Sequence, residues 1–210
     1  MTPPVPIIAY ASRTGTRRNL DKLRSAGWRL LVSAAGELRN EGFRYALDNG
    51  AWSAYSHGKP FDDRAFSVAL KTMGARADWT VIPDVVAGGH ASLDLSLRWM
   101  REVLNETPRA LLAVQDGLDL GDVRPFLGER VGIFVGGSTI WKLRTLSAWS
   151  ALARSVGCWC HVGRVNSARR IHACTAAGAT SFDGTSVTRY AVSLPRLDVA
   201  RRQLNLWEAA

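Results

Sequence analysis

The chain has 210 residues, 47% of them hydrophobic, enough for one well-filled core and too few for two full domains. Its 27 basic residues against 18 acidic ones leave a formal charge of +9, which points to an anionic partner such as a nucleic acid or a membrane surface. No run approaches the ~18 apolar residues of a membrane span, and the opening MTPPVPIIAY carries no leader-like pattern, so a cytoplasmic protein without a membrane partner is expected.

Taken in chain order, apolar runs bounded by turn residues predict eight short strands, over 6–10, 28–33, 44–47, 79–82, 111–114, 131–135, 158–161 and 180–182. Helical windows fit between most of them, over 16–26, 62–74, 90–106, 120–127, 141–156 and 167–177, and a last one over 197–208 closes the chain. Thr16 and Ser167 stand where a hydroxyl would cap the first and sixth of these helices. The link between the second and third strands is too short for a full helix, and the run 53–60 reads as an active-site loop or a turn. Alternating strands and helices predict an α/β fold, a compact (β/α)8 TIM-like barrel with an irregularity after its second strand, forming one domain over 1–210. An open doubly wound sheet is the structural rival.

Polar residues gather where the strands stop. Asp48, Asp84, Gln115 with Asp116, Gly136 with Gly137, and Asp183 each end an apolar run. In a parallel barrel such positions share one rim, where loops after neighbouring strands converge on a pocket. Any single strand-ending aspartate is readily explained as a turn residue. The set is harder to dismiss.

Other chemistries lack their residues. The stretch GIFVGGS at 132–138 has neither a dinucleotide fingerprint nor a phosphate loop with its lysine, and no cofactor is expected. The three cysteines, Cys158, Cys160 and Cys174, are an odd number in a chain that needs no disulfide staple. Alternation sets Cys158 and Cys160 on one face of their strand and His161 on the other, so buried thiols are expected and no metal site. Serine-nucleophile and His-Glu-x-x-His motifs are absent, leaving carboxylate chemistry with Asp48 and Asp183 foremost.

Five ordered segments resemble the tRNA-guanine transglycosylase superfamily, above all its short phage and bacterial relatives that place 7-deazaguanines in DNA. They are ALDNGAW at 46–52, IPDVV at 82–86, QDG at 115–117, VGG at 135–137 and HVGRVNSARRIHACTAAGATSFDGTSVTR at 161–189. The resemblance implies Asp183 as the covalent nucleophile and Asp48 as the acid near the reacting base. It further implies that Asp84 and Gln115 read the guanine edge and that the Gly136 and Gly137 backbone approaches it. Departures are Asn49, Ala51 and Gly184 at positions where the family carries Ser, Gly and Cys, and the lack of the family's zinc-binding module after Asp183.

The implied reaction exchanges guanine for a 7-deazaguanine such as 7-cyano-7-deazaguanine, with DNA rather than tRNA as polymer, in bacterial or phage-infected host cytoplasm. Trp52 and Tyr55 are candidates to stack on the base. Arg13, Arg17, Arg18, Arg164, Arg169, Arg170 and Arg189 are candidates to hold phosphates. Two other readings stand beside this one, a deoxyribosyltransferase or N-glycosidase of small nucleosides, and a non-catalytic nucleic-acid-binding barrel.

Overall fold

The computed structural model describes residues 6–12 and 16–203. Eight parallel strands, β1 (Ile8–Ser12), β2 (Arg29–Ser33), β3 (Tyr45–Asp48), β4 (Thr80–Val81), β5 (Ala110–Val114), β6 (Val131–Val135), β7 (Cys160–Val162) and β8 (Ser181–Gly184), pair in sequence order. The barrel closes through β1 and β8, with Tyr10 opposite Asp183. Helices α1 (Arg17–Ser25), α2 (Ala51–Ser56), α3 (Asp63–Met73), α4 (His90–Glu106), α5 (Leu120–Val123), α6 (Thr139–Val156), α7 (Ala168–Ala177), α8 (Ser186–Arg189) and α9 (Leu194–Arg202) surround it. This is the TIM-like barrel expected of the strand-and-helix alternation.

Two apolar layers hold it together. Between sheet and helices lies the larger cluster, to which α3 contributes Phe66, Ala69, Leu70 and Met73 at the spacing of one helical face. Inside the barrel a second cluster packs Tyr10, Ala46, Trp79, Val81, Leu111 and Ala113. Alternation along each strand sends successive side chains to these two layers in turn. Below the inner layer, Asp78 accepts from Tyr10 Oη (2.9 Å), Arg29 (2.8 Å) and Arg44 (2.7 Å), so two of the chain's arginines are paired within the fold.

Several elements differ from the sequence expectation for identifiable reasons. The first strand runs over Ile8–Ser12 rather than 6–10, because Pro6 has no N–H for the ladder and Ile8 is the first residue to donate across, to Thr180 O. Cys158 is not in β7: its N–H returns to Ala153 O behind the left-handed Gly157 that ends α6. The run 53–60 begins as helix α2 and only then turns. The window 120–127 is one turn of α-helix followed by a 3-10 turn containing Pro125. The last helix starts at Leu194, three residues early, and residues 204–208 of its expected span lie outside the described residues. Thr16 occupies the N-cap position of α1 without a capping side-chain bond, whereas Ser167 accepts from Arg170 N. The β2–β3 link contains no helix, as its length requires, and the strands still pair in register from Leu30↔Tyr45 to Ser33↔Asp48. Among the described residues no helix is long and apolar enough to cross a membrane.

Candidate active site

The strand ends converge on a cavity of about 600 Å³ at the C-terminal rim, lined by Asp48, Asp84, Gln115, Asp116, Gly136, Gly137, Asp183, Trp52, Tyr55 and Arg164 among others. Every candidate base-site residue therefore meets in one place. Ser12 of β1 and Phe134 of β6 also face this cavity.

Asp183 is 6% exposed and its partners fall on one oxygen. Oδ2 accepts from His161 Nε2 and from the Arg164 backbone N–H, both at 3.1 Å. Among the described residues Oδ1 has no donor, which leaves a carboxylate oxygen open toward the cavity.

His161 is fully buried inside the barrel, level with Phe134 and Ser181 in the strand register. Trp159 Nε1 donates to Ser181 Oγ at 2.7 Å, so the hydroxyl proton is free to donate to His161 Nδ1 at 2.8 Å. That chain assigns the proton to Nε2, where it is donated to Asp183. Burial holds the imidazole pKa below its ordinary value despite the neighbouring carboxylate, consistent with a neutral ring.

Asp48 ends β3 and accepts from Ser33 Oγ (3.2 Å) and Gly50 N (3.1 Å). Burial pushes its pKa up to about 6; the Gly50 and Ser33 bonds oppose the rise, while the charges of Asp183 and Asp84 add to it. Asp84, just beyond β4, is raised to about 6 by burial against the opposing bond from Asn49.

Asn49 joins the two carboxylate loops. Its Nδ2 donates to Ile82 O (2.8 Å) and Asp84 Oδ1 (2.7 Å), and its Oδ1 accepts from Ala51 N (2.9 Å). Asn49→Ala would strand the buried Ile82 carbonyl and is expected to cost about 2 kcal/mol in urea unfolding. An unchanged midpoint and slope would deny Asn49 this role.

Gln115 is 3% exposed and its amide is committed to backbone. Oε1 accepts from Ala87 N (2.6 Å) and Nε2 donates to Val85 O (2.8 Å), so the residue clamps the β4–α4 loop while lining the cavity. Its second Nε2 proton is what remains for a base. Gly137 lies at φ +70°, and a Cβ there would fall 2.6 Å from Asp116 Oδ2 and 2.8 Å from Trp141 Cε3, which requires glycine. Its N–H finds no acceptor among the described residues.

Trp52 and Tyr55 stand half-exposed at the mouth with ring centroids 5.7 Å apart. The Arg164 guanidinium lies 4.2 Å from the Trp52 ring and donates to Gly137 O. Arg164 is thus a wall residue of the cavity as well as a candidate cation for phosphate. Of the other arginines, Arg17, Arg18 and Arg169 are exposed and Arg170 partly buried, all in the first turns of α1 or α7, which open on the cavity's rim. Arg189 is exposed at the end of α8, and Arg13 lies outside the described residues.

Gly184, where the resemblance carries Cys, has a local cause: a Cβ would fall 2.4 Å from Val165 O and 3.0 Å from Asn166 Oδ1. The loop after β7 packs directly on the strand. Cys160 and Cys174 are buried free thiols and Cys158 is half-buried, none of them lining the cavity. Among the described residues no group of three or more His, Cys, Asp or Glu is placed to hold a metal.

Sequence reading missed His161, Asn49 and Phe134 as parts of this site. The signal for His161 was its alternation onto the face opposite Cys160, on the strand next to that of Asp183 and two residues from it in register; for Asn49 it was adjacency to Asp48, at a position counted only as a departure from the resemblance. No family model matches the chain, and no curated protein matches it at a significant level.

Proposed function

We propose that the chain, acting as a single barrel domain, is a nucleic-acid base transglycosylase that exchanges guanine for a 7-deazaguanine, with DNA as the polymer. The observation that carries this reading is the convergence of Asp48, Asp84 and Asp183 on one cavity, with Asp183 anchored through Oδ2 and open through Oδ1. The resemblance of the five strand-end segments supplies the substrate class.

In the first step a lone pair of Asp183 Oδ1 bonds to the anomeric carbon while the bond from that carbon to guanine breaks, its electron pair leaving on the base. Asp48, with its pKa raised to about 6, gives the departing base a proton. In the second step Asp48 takes the proton from the incoming base, whose nitrogen attacks the same carbon and returns the ester electrons to Asp183. Asp84 accepts from the N1 and exocyclic N–H groups of either base, and the Gly137 N–H addresses the carbonyl edge. Those donors and acceptors favour guanine-like rings over adenine-like ones.

The rim charges support a polyanionic substrate. Arg17 and Arg18 in α1, and Arg169 in α7, sit in first turns that contain no acidic residue, whereas Arg170 is partly buried and faces Lys142 of α6. Cations at the positive end of a helix dipole oppose helix stability, by a few tenths of a kcal/mol each, so the helix dipole does not account for them. A flipped nucleotide needs its flanking phosphates held, and this arc lies beside β7, β8 and β1, on the Asp183 side. Substituting Arg17 or Arg169 with Ala is expected to weaken DNA binding irrespective of sequence and to reduce the salt slope by about 1 each. A salt slope near zero in the unaltered protein would remove the polymer from the proposal.

The test of the activity offers labelled guanine and labelled 7-cyano-7-deazaguanine with duplex DNA, tRNA or free deoxynucleosides. Label retained in washed DNA is the expected result. Label in tRNA would replace the polymer, label only in nucleosides would favour a small-nucleoside transferase, and tight DNA binding with no exchange would favour a binding barrel.

A further inference from the structure

On the helix side of the sheet, away from the cavity, α6 buries Lys142 to 5% exposure. Its Nζ donates to the carbonyl of Gly163. That carbonyl belongs to the same planar peptide as the Arg164 N–H, and the Arg164 N–H donates to Asp183 Oδ2 at 3.1 Å. One peptide group therefore has an ammonium on its oxygen and the open-sided carboxylate on its nitrogen.

The peptide is held in this orientation by more than chance packing. Arg164 adopts φ +59°, a left-handed conformation that non-glycine residues rarely take and that clusters at functional sites. Gly163 admits no side chain, since a Cβ would fall 2.7 Å from Phe134 Cζ. A cation on a peptide oxygen draws electron density from the nitrogen and strengthens its N–H as a donor. Among the described residues no carboxylate forms an ion pair with Lys142, although an apolar side chain of the same length would fill its slot without a desolvation cost.

The groups facing Lys142 are Arg164 in the loop after β7, Arg170 and Cys174 of α7, His161 of β7 and Asp183 of β8. Burial, with the nearby arginines, lowers the Lys142 pKa to about 8, and Asp183 and Cys174 oppose that shift. The ammonium is therefore present at neutral pH and lost as pH rises through that value.

We propose that Lys142 is a positioning residue for Asp183, acting through the Gly163–Arg164 peptide to hold Oδ2 and present Oδ1 for attack. The kinetic part of this proposal rests on the base-exchange reading; the structural part does not. Lys142 touches no substrate, since it does not line the cavity.

The test combines amide NMR with exchange kinetics on the whole chain. In the unaltered protein the Arg164 amide proton is expected to titrate with a midpoint near 8. In Lys142→Met it should lie upfield of its normal position and no longer titrate. The same variant should lose about tenfold in kcat with KM for the incoming base within about twofold, and should lose an alkaline limb of the rate profile present in the unaltered protein. An Arg164 amide that does not titrate overturns the proposal without need of the variant. So does a kcat loss that keeps the original pH profile and follows melting temperature. If the unaltered protein exchanges no base, the functional reading falls, and the amide titration still decides what Lys142 does.

Discussion

Asp183→Asn is expected to lower base exchange by ~1,000-fold or more while leaving polymer binding within about threefold, because a nucleophile lost from a double displacement removes its only covalent route. Asparagine is the informative choice. Its side-chain oxygen can still accept from His161 Nε2 and Arg164 N–H, so the β7–β8 contacts survive and the loss reports chemistry. A second consequence separates charge from shape: the Asp183 charge contributes to the raised pKa of Asp48, so Asp48 in this variant should titrate below its value of about 6. Steady-state exchange rates and a carboxyl-carbon NMR titration measure the two effects. Exchange within tenfold of the unaltered protein would remove Asp183 from the nucleophile role.

Asp48→Asn should cost ~100-fold or more in exchange rate and at the same time stabilise the fold above neutral pH. The folded pKa of Asp48, about 6, lies above its ordinary value of 3.8, so the folded state holds this proton more tightly than the unfolded chain. Stability from that proton is fully present below the ordinary value and lost as pH rises through about 6. At pH 8 the unaltered protein therefore carries the whole cost of a buried carboxylate. A shift of this size corresponds to about 3 kcal/mol at 1.4 kcal/mol per pKa unit, and solvent reaching the carboxylate through the cavity mouth reduces it to about 1–2 kcal/mol. The variant should melt about 3–6 °C higher at pH 8 and show no gain near pH 4. A lower melting temperature at pH 8 would contradict the burial argument, whereas unchanged exchange would contradict the proton-transfer role.

Much of the barrel was legible because its strands are short apolar runs that stop at polar residues. The sixth strand has the bounds its VGIFV run predicts, and Asp48, Asp84, Gln115, Gly136 and Asp183 reach one cavity because each lies in the last two residues of a parallel strand or just past it. What escaped reading depends on tertiary approach. His161 was placed correctly on the face opposite Cys160, but only the β7–β8 register brings it to Asp183. Asn49 looked like a lost match to the family, and its two bonds from the end of β3 to the loop after β4 exist only once the strands are neighbours. Gln115 was expected to touch the base, and the left-handed Ala87 turn that consumes its amide oxygen has no signature in the residues 82–88. Lys142 passes for a helix-surface lysine in any one-dimensional view, because the Gly163 carbonyl it meets is turned by a backbone conformation at Arg164. The charge of +9 was attributed to a partner, yet Arg29 and Arg44 are paired to Asp78 at the barrel's base, leaving the rim arginines to carry that inference.

In the proposed reaction the polynucleotide passes through an ester to Asp183. The direct measurement is to mix the protein with guanine-containing DNA without any incoming base, quench with acid, and resolve covalent protein–DNA adducts on a denaturing gel before peptide mass analysis. The expected result is an adduct on the peptide containing Asp183, chased away by added 7-cyano-7-deazaguanine and absent from Asp183→Asn. Labelled base entering the DNA without any such adduct, or an adduct mapping to another residue, would rule out an Asp183 ester.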